Sequence, residues 1–223
     1  MSDTDGTHLV QMSDFKDSAS GSPHWSPDSQ KVAFDSMKFG HPTELYVVDI
    51  SERMPRKVIT NIRNPVVPSW SHDGKWIYFR AGLPDNLKVY RCPAAGGDAV
   101  EIAMGDSAME SIDGDTLYFT RSEGSAELYS MSLKQPGTKP VLEGMPRLSS
   151  WNQWAMVTRG IYFVPADAPR SIHYLDFTSK QIRQVFQTEK NFELYLSVSP
   201  DGRWIIYSQL EGQGDIMLVE HFR

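Results

Sequence analysis

Apolar and polar residues alternate with a period of two along most of the chain, in short runs broken by Ser, Pro, Asp and Gly. That period places successive side chains on opposite faces of an extended strand, so the pattern predicts β-structure from end to end. The runs repeat. An apolar or aromatic pair recurs at Ala33-Phe34, Tyr78-Phe79, Tyr118-Phe119, Tyr162-Phe163 and Ile206-Tyr207, with the second members 45, 40, 44 and 44 residues apart. Ahead of the pairs stand Ser26-Pro27-Asp28-Ser29, Ser71-His72-Asp73-Gly74, Ser111-Ile112-Asp113-Gly114, a degenerate Thr158-Arg159-Gly160, and Ser199-Pro200-Asp201-Gly202. Pro presets φ and Asp-Gly permits a tight reversal, so these segments read as hairpin turns. A third alternating segment follows in each unit (44–50, 88–93, 127–133, 171–177, 215–222), and a shorter fourth in all but the last (57–60, 99–102, 139–142, 182–186). Tyr46, Tyr90 and Tyr129 fall at one equivalent place, with His173 and Met217 there in the last two units.

Each unit is thus a four-stranded antiparallel meander, and a period of forty or so residues built from such meanders predicts an all-β β-propeller of about five blades. The expected organisation is one domain over residues 1–223, with blades near 22–60, 65–104, 107–143, 149–187 and 192–223 plus 7–12. The last unit lacks a fourth segment, while Thr7 to Met12 matches Lys57 to Thr60 in character. Pairing the first strand with the last blade would close a five-bladed ring and remove an exposed edge. The alternative is that the chain is the tail of a longer propeller.

Composition narrows the partners. The net charge of −6 works against a polyanion, so direct nucleic-acid binding is not expected. No apolar run approaches the length of a membrane span, and residues 1–8 are polar and acidic where an export signal would be basic and then apolar. A cytoplasmic location follows if Met1 is the native start, and a periplasmic one if the chain is the tail of a longer membrane-anchored protein. The single Cys92 excludes an internal disulfide and supplies neither a zinc set nor a redox pair.

Segments such as Pro23-His24-Trp25-Ser26-Pro27-Asp28, Pro68 to Phe79 and Val198 to Trp204 resemble the WD-repeat-like blade motif of TolB across essentially the whole chain. The ending Gly214 to Arg223, and Trp76-Ile77-Tyr78-Phe79 with Pro93-Ala94-Ala95-Gly96-Gly97, are similar to the C-terminal propellers of bacterial winged-helix transcriptional regulators. The resemblance implies a propeller fold and a binding or sensing role, because the repeat occurs in assembly proteins, in the caps of prolyl peptidases and in sensor domains.

The chemistry of common enzymes is missing from the sequence. There is no Gly-x-Ser-x-Gly elbow, glycine-rich phosphate loop, His-Glu-x-x-His or Cys-x-x-Cys. Asp3-Thr4-Asp5-Gly6 reads as a turn rather than a calcium loop, since its closing carboxylate is replaced by Met12. The six histidines, at 8, 24, 41, 72, 173 and 221, are scattered over different blades, so no metal and no cofactor are expected. Trp25, Trp70, Trp76 and Trp204 recur at motif positions and read as packing, whereas Trp151 and Trp154 do not recur. Glu110 stands where Trp25, Trp70, Met156 and Val198 stand elsewhere, so it should be solvated or paired. Links from an outer strand to the next inner strand gather at one face of a propeller, where rigidly held loops form binding sites. The candidate ligand-binding residues are Arg63, Asn64, Glu110, Trp151, Asn152, Trp154, Asn191 and Tyr195. The expected function is a non-catalytic module that recognises a protein, peptide or small ligand at the channel mouth, as part of a bacterial regulatory protein. The alternatives are a lyase-like propeller enzyme and the cap of a prolyl-peptidase-like protein.

Overall fold

The computed structural model describes residues 1–3, 6–121, 126–135, 137–150, 152–199, 202–209 and 215–220. The fold class is the expected one: all-β, in five antiparallel β-propeller blades. They fall into two compact units, Met1–Met109 and Glu110–Arg223. In the first, one blade runs β1 (Ser18–Trp25), β2 (Lys31–Lys38), β3 (Thr43–Asp49), β4 (Arg56–Val58), and the next β5 (Val66–Trp70), β6 (Trp76–Ala81), β7 (Lys88–Pro93), β8 (Val100–Met104). The third blade, of the second unit apart from the start of its inner strand, runs β9 (Ala108–Glu110), β10 (Thr116–Arg121), β11 (Glu127–Ser132), β12 (Thr138–Pro140). The fourth is β13 (Trp154–Val157), β14 (Gly160–Phe163), β15 (Ser171–Asp176), β16 (Ile182–Gln187), and the fifth has three described strands, β17 (Phe192–Val198), β18 (Trp204–Gln209), β19 (Asp215–Glu220). Every blade follows chain order from its inner strand outward. Among the described residues no helix is long and apolar enough to cross a membrane.

The hairpin between the first two strands of a blade is built from side chains the sequence supplies locally. Ser71 Oγ donates to Asp73 Oδ1 at 2.8 Å, Asp73 Oδ1 accepts the Lys75 N–H at 3.0 Å, and Ser71 Oγ accepts the Trp76 N–H at 2.9 Å. The same three bonds recur around Ser26-Asp28 and Ser111-Asp113. The fourth turn residue is left-handed, with φ of +69° at Gly74 and +73° at Gly114, which is why glycine is placed there. In the Ser26-Pro27-Asp28-Ser29 turn, Ser29 takes that conformation with a side chain, at +57°. Pro200 and Asp201 of the last turn, and Asp5 of the turn expected near the start, lie outside the described residues.

In four of the blades a cross-strand pair of rings stands on one face. Phe34 stacks on Tyr46, Phe79 on Tyr90 and Phe119 on Tyr129, with centroids 5.6, 5.7 and 6.2 Å apart, and Phe163 meets His173 at 5.9 Å. The equivalence expected for Tyr46, Tyr90, Tyr129 and His173 is therefore a packing role. In the first unit, Trp70 and Phe79 lie in one buried cluster with Ala33, Leu45, Val47 and Ile77. In the second, Tyr162, Tyr174, Phe192, Leu196 and Tyr207 form another.

Two expectations are corrected. Thr7–Met12 is not a strand: the Val10 N–H donates to Met1 O at 2.8 Å, and Phe15 just beyond seats its ring 4.7 Å from Tyr46, drawing the segment toward the first blade. Trp25 is not buried like Trp70 but 46% exposed.

Candidate functional site

The inner strands carry the irregularities of the fold. In β1, β5 and β17 the register with the next strand shifts at one equivalent place, between Gly21 and His24, Val66 and Ser69, and Phe192 and Leu196. Such bulges re-aim side chains beside the chain's entry into a sheet. Ser22 and Val67 sit within two of them with φ of +49° and +55°. Left-handed backbone in a β-branched residue such as Val67 is strained and persists only where the surroundings impose it.

Three contacts impose it in the first unit. The Val67 N–H donates to Asp35 Oδ2 at 2.9 Å, so a carboxylate on β2 fixes the bulge of the neighbouring blade. Asn64, itself at φ +52°, accepts the Thr43 N–H through Oδ1 at 3.2 Å and so ties the link to the hairpin between β2 and β3. Trp70 Nε1 donates to His24 O at 3.1 Å. Arg63 and Asn64 stand exposed on this fastened link.

The next link repeats the device with an ion pair. Arg80 occupies on β6 the place of Asp35 on β2, and its Nη1 lies 2.6 Å from Asp106 Oδ1. Asp106 is buried, and burial pushes its carboxyl above the usual range against the pull of the Arg80 guanidinium. Ser69 Oγ donates to Ala108 O at 2.6 Å nearby. Neither Asp35, Arg80 nor Asp106 was singled out from the sequence; the signal available was the polar residue that follows the aromatic pair in these two blades. His24 is half-buried, and burial lowers its pKa below the ordinary value. At neutral pH its imidazole is therefore uncharged, with Nδ1 3.1 Å from Trp25 O.

In the second unit, Gln153 takes the bridging role and donates through Nε2 to Phe192 O at 3.0 Å and to Glu193 O. Asn152 is buried and accepts from Ser150 Oγ at 3.0 Å. Asn191 is exposed, and Tyr195, 44% exposed, lies within the β17 bulge with its N–H on Ser208 Oγ at 3.2 Å. Trp154 overturns the expectation of a surface aromatic: it is 0% exposed, paired across the sheet with Phe163. Its bulk is core, out of reach of any ligand. Glu110 is half-buried at the far end of β9, beside the Gly114 turn rather than in the link. Trp151 lies outside the described residues. Of the expected site residues, Arg63 and Asn64 in one unit and Asn191 and Tyr195 in the other are thus presented outward from links or bulges. No group of three or more His, Cys, Asp or Glu side chains among the described residues is placed to hold a metal ion.

The family model described as the TolB beta propeller domain matches residues 3–157. Among solved structures, TolB from Acinetobacter baumannii superposes with a TM-score of 0.81 at 22% identity, over 98% of this chain and 56% of that one. A putative TolB from Agrobacterium tumefaciens gives 0.74 at 16% identity, over 92% and 78%. One of two prolyl endopeptidases analysed for inter-domain dynamics in catalysis and specificity gives 0.60 at 15%, over 94% of this chain and 35% of that one. The chain spans little more than half the length of the first of these relatives, and likenesses at such identities bear on the fold alone.

Proposed function

The chain belongs to the TolB β-propeller domain family, and we propose that it is a non-catalytic binding module that recognises a protein or peptide through the links into its inner strands. The observation that carries this reading is the strained, fastened link 62–67. A left-handed Val67 costs about 1–2 kcal/mol, and Asp35 and Asn64 hold the loop in place around it. Strain retained by added contacts belongs to a loop whose shape is used, and binding residues concentrate on loops held by rigid sheets. Arg63 and Asn64 are the side chains this loop offers, and Tyr195 is its counterpart in the second unit. Propellers of the TolB kind bind proteins, which supports a macromolecular partner. The likeness of Trp76–Phe79 and Pro93–Gly97 to the propellers of winged-helix regulators supports a sensing role within a bacterial regulatory protein.

The test is quantitative co-purification with the tagged full chain and with an Arg63→Ala variant, which leaves the Asn64 contact to Thr43 in place. A protein retained by the parent and lost by a variant with the same melting curve supports the reading. Identical retained proteins in both would reject it.

A further inference from the structure

A second recess lies on the first blade, beside the segment that precedes β1. Residues 14–16 cross the face of the first blade near the β2–β3 hairpin and leave a groove of about 330 Å³. One wall is aromatic: Phe15 and Tyr46 have centroids 4.7 Å apart, and Pro42 closes the end. The charges around it are unevenly used. Glu44 already receives the Tyr46 hydroxyl at 2.9 Å and is ion-paired with Lys57, which holds its carboxyl below the usual range. The ammonium groups of Lys16 and Lys38 enter no ion pair among the described residues, and both side chains line the groove. With Glu44 neutralised and Asp14 the remaining carboxylate of the lining, the groove keeps an excess of one positive charge.

We infer that this groove binds a small monocarboxylate, its anionic end between Lys16 and Lys38 and its apolar or aromatic tail against Phe15, Pro42 and Tyr46. The volume lies at the lower end of the range for small-molecule sites and suits a ligand about the size of one amino acid. Asp14 opposes a second negative charge, so a phosphate dianion fits the arrangement less well than a carboxylate. Two sources share this chemistry, a free carboxylic acid and the C-terminal carboxylate of a peptide. Arg63 and Asn64 are not among the residues that line the groove, so this inference does not rest on the partner surface proposed above.

The experiment is an NMR titration of the full chain with 3-phenylpropionate, with a tetrapeptide Gly-Gly-Gly-Phe bearing a free carboxylate, with its C-terminal amide, and with inorganic phosphate. The expected result is saturable shifts of the Phe15, Lys38 and Tyr46 amides by 3-phenylpropionate. Lys16→Ala and Lys38→Ala should each weaken that binding about tenfold, since a charge-assisted contact is lost while the exposed side chains leave the fold intact. Equal binding of the free-carboxylate peptide but not its amide assigns the site to peptide termini, and binding of 3-phenylpropionate alone assigns it to a free acid. No saturable shift, binding unaffected by both lysine variants, or equal binding by phosphate would overturn the inference.

Discussion

Replacing Asp35 with Ala removes the acceptor that holds Val67 in its left-handed conformation. A hydrogen bond to a charged acceptor contributes about 1.5–3 kcal/mol, and Asp35 is half-buried, so the lower part of that range, about 1.5–2 kcal/mol, applies. For a chain of 223 residues this corresponds to a fall in melting temperature of roughly 3–8 °C. Asp35→Asn keeps an oxygen at the same distance and should recover most of the loss. Val67→Gly placed on the Asp35→Ala background should also recover part of it: the strain of about 1–2 kcal/mol disappears, offset by about 0.5–1 kcal/mol of glycine backbone entropy. The assay is thermal melting by circular dichroism together with hydrogen exchange at the Val67 amide. An Asp35→Ala variant that melts with the parent, and whose Val67 amide exchanges no faster, would refute the claim that this carboxylate fastens the link.

Trp154→Ala should lose about 3–5 kcal/mol in chemical denaturation, as truncation of a fully buried aromatic does, whereas Tyr195→Ala should stay within about 1 kcal/mol of the parent. Gly160→Ala should cost at least about 3 kcal/mol by the same assay, because a Cβ there would stand 2.1 Å from the Leu175 carbonyl oxygen on the paired strand. The Asp73 carboxyl is held at about 2, below its ordinary 3.8, by the Lys75 N–H and the Ser71 hydroxyl. Its contribution is therefore fully present above pH 4 and lost as pH falls toward 2, and Asp73→Asn should flatten the dependence of stability on pH in that window.

The strands and hairpins were legible because their causes are local. A two-residue period sets the faces, and Ser-x-Asp-Gly carries its own hydrogen-bond acceptors and its own left-handed residue within five positions. Arg63, Asn64, Asn191 and Tyr195 were reached by placing the links through the repeat. The fastening of the link was not, because Val67 carries no mark of a left-handed residue; the conformation is imposed by Asp35, 32 residues earlier on another blade. Trp154 misled for the converse reason. Its failure to recur suggested a surface role, yet the first position of β13 faces a core that this large apolar side chain fills. The likeness of Thr7–Met12 to an outer strand lay in its residue pattern alone, and pairing depends on which partner edge lies near. Phe15 instead draws the neighbouring chain onto Phe34 and Tyr46.

The account stands most directly on where a partner touches the protein. A photo-crosslinking amino acid should be placed in turn at Arg63, at Tyr195 and at His72, the last in the exposed turn between β5 and β6, in cells that make the full chain. The account predicts a discrete covalent adduct with another protein from the link or bulge positions and none from His72. Adducts from His72 alone, or from no position, would contradict it.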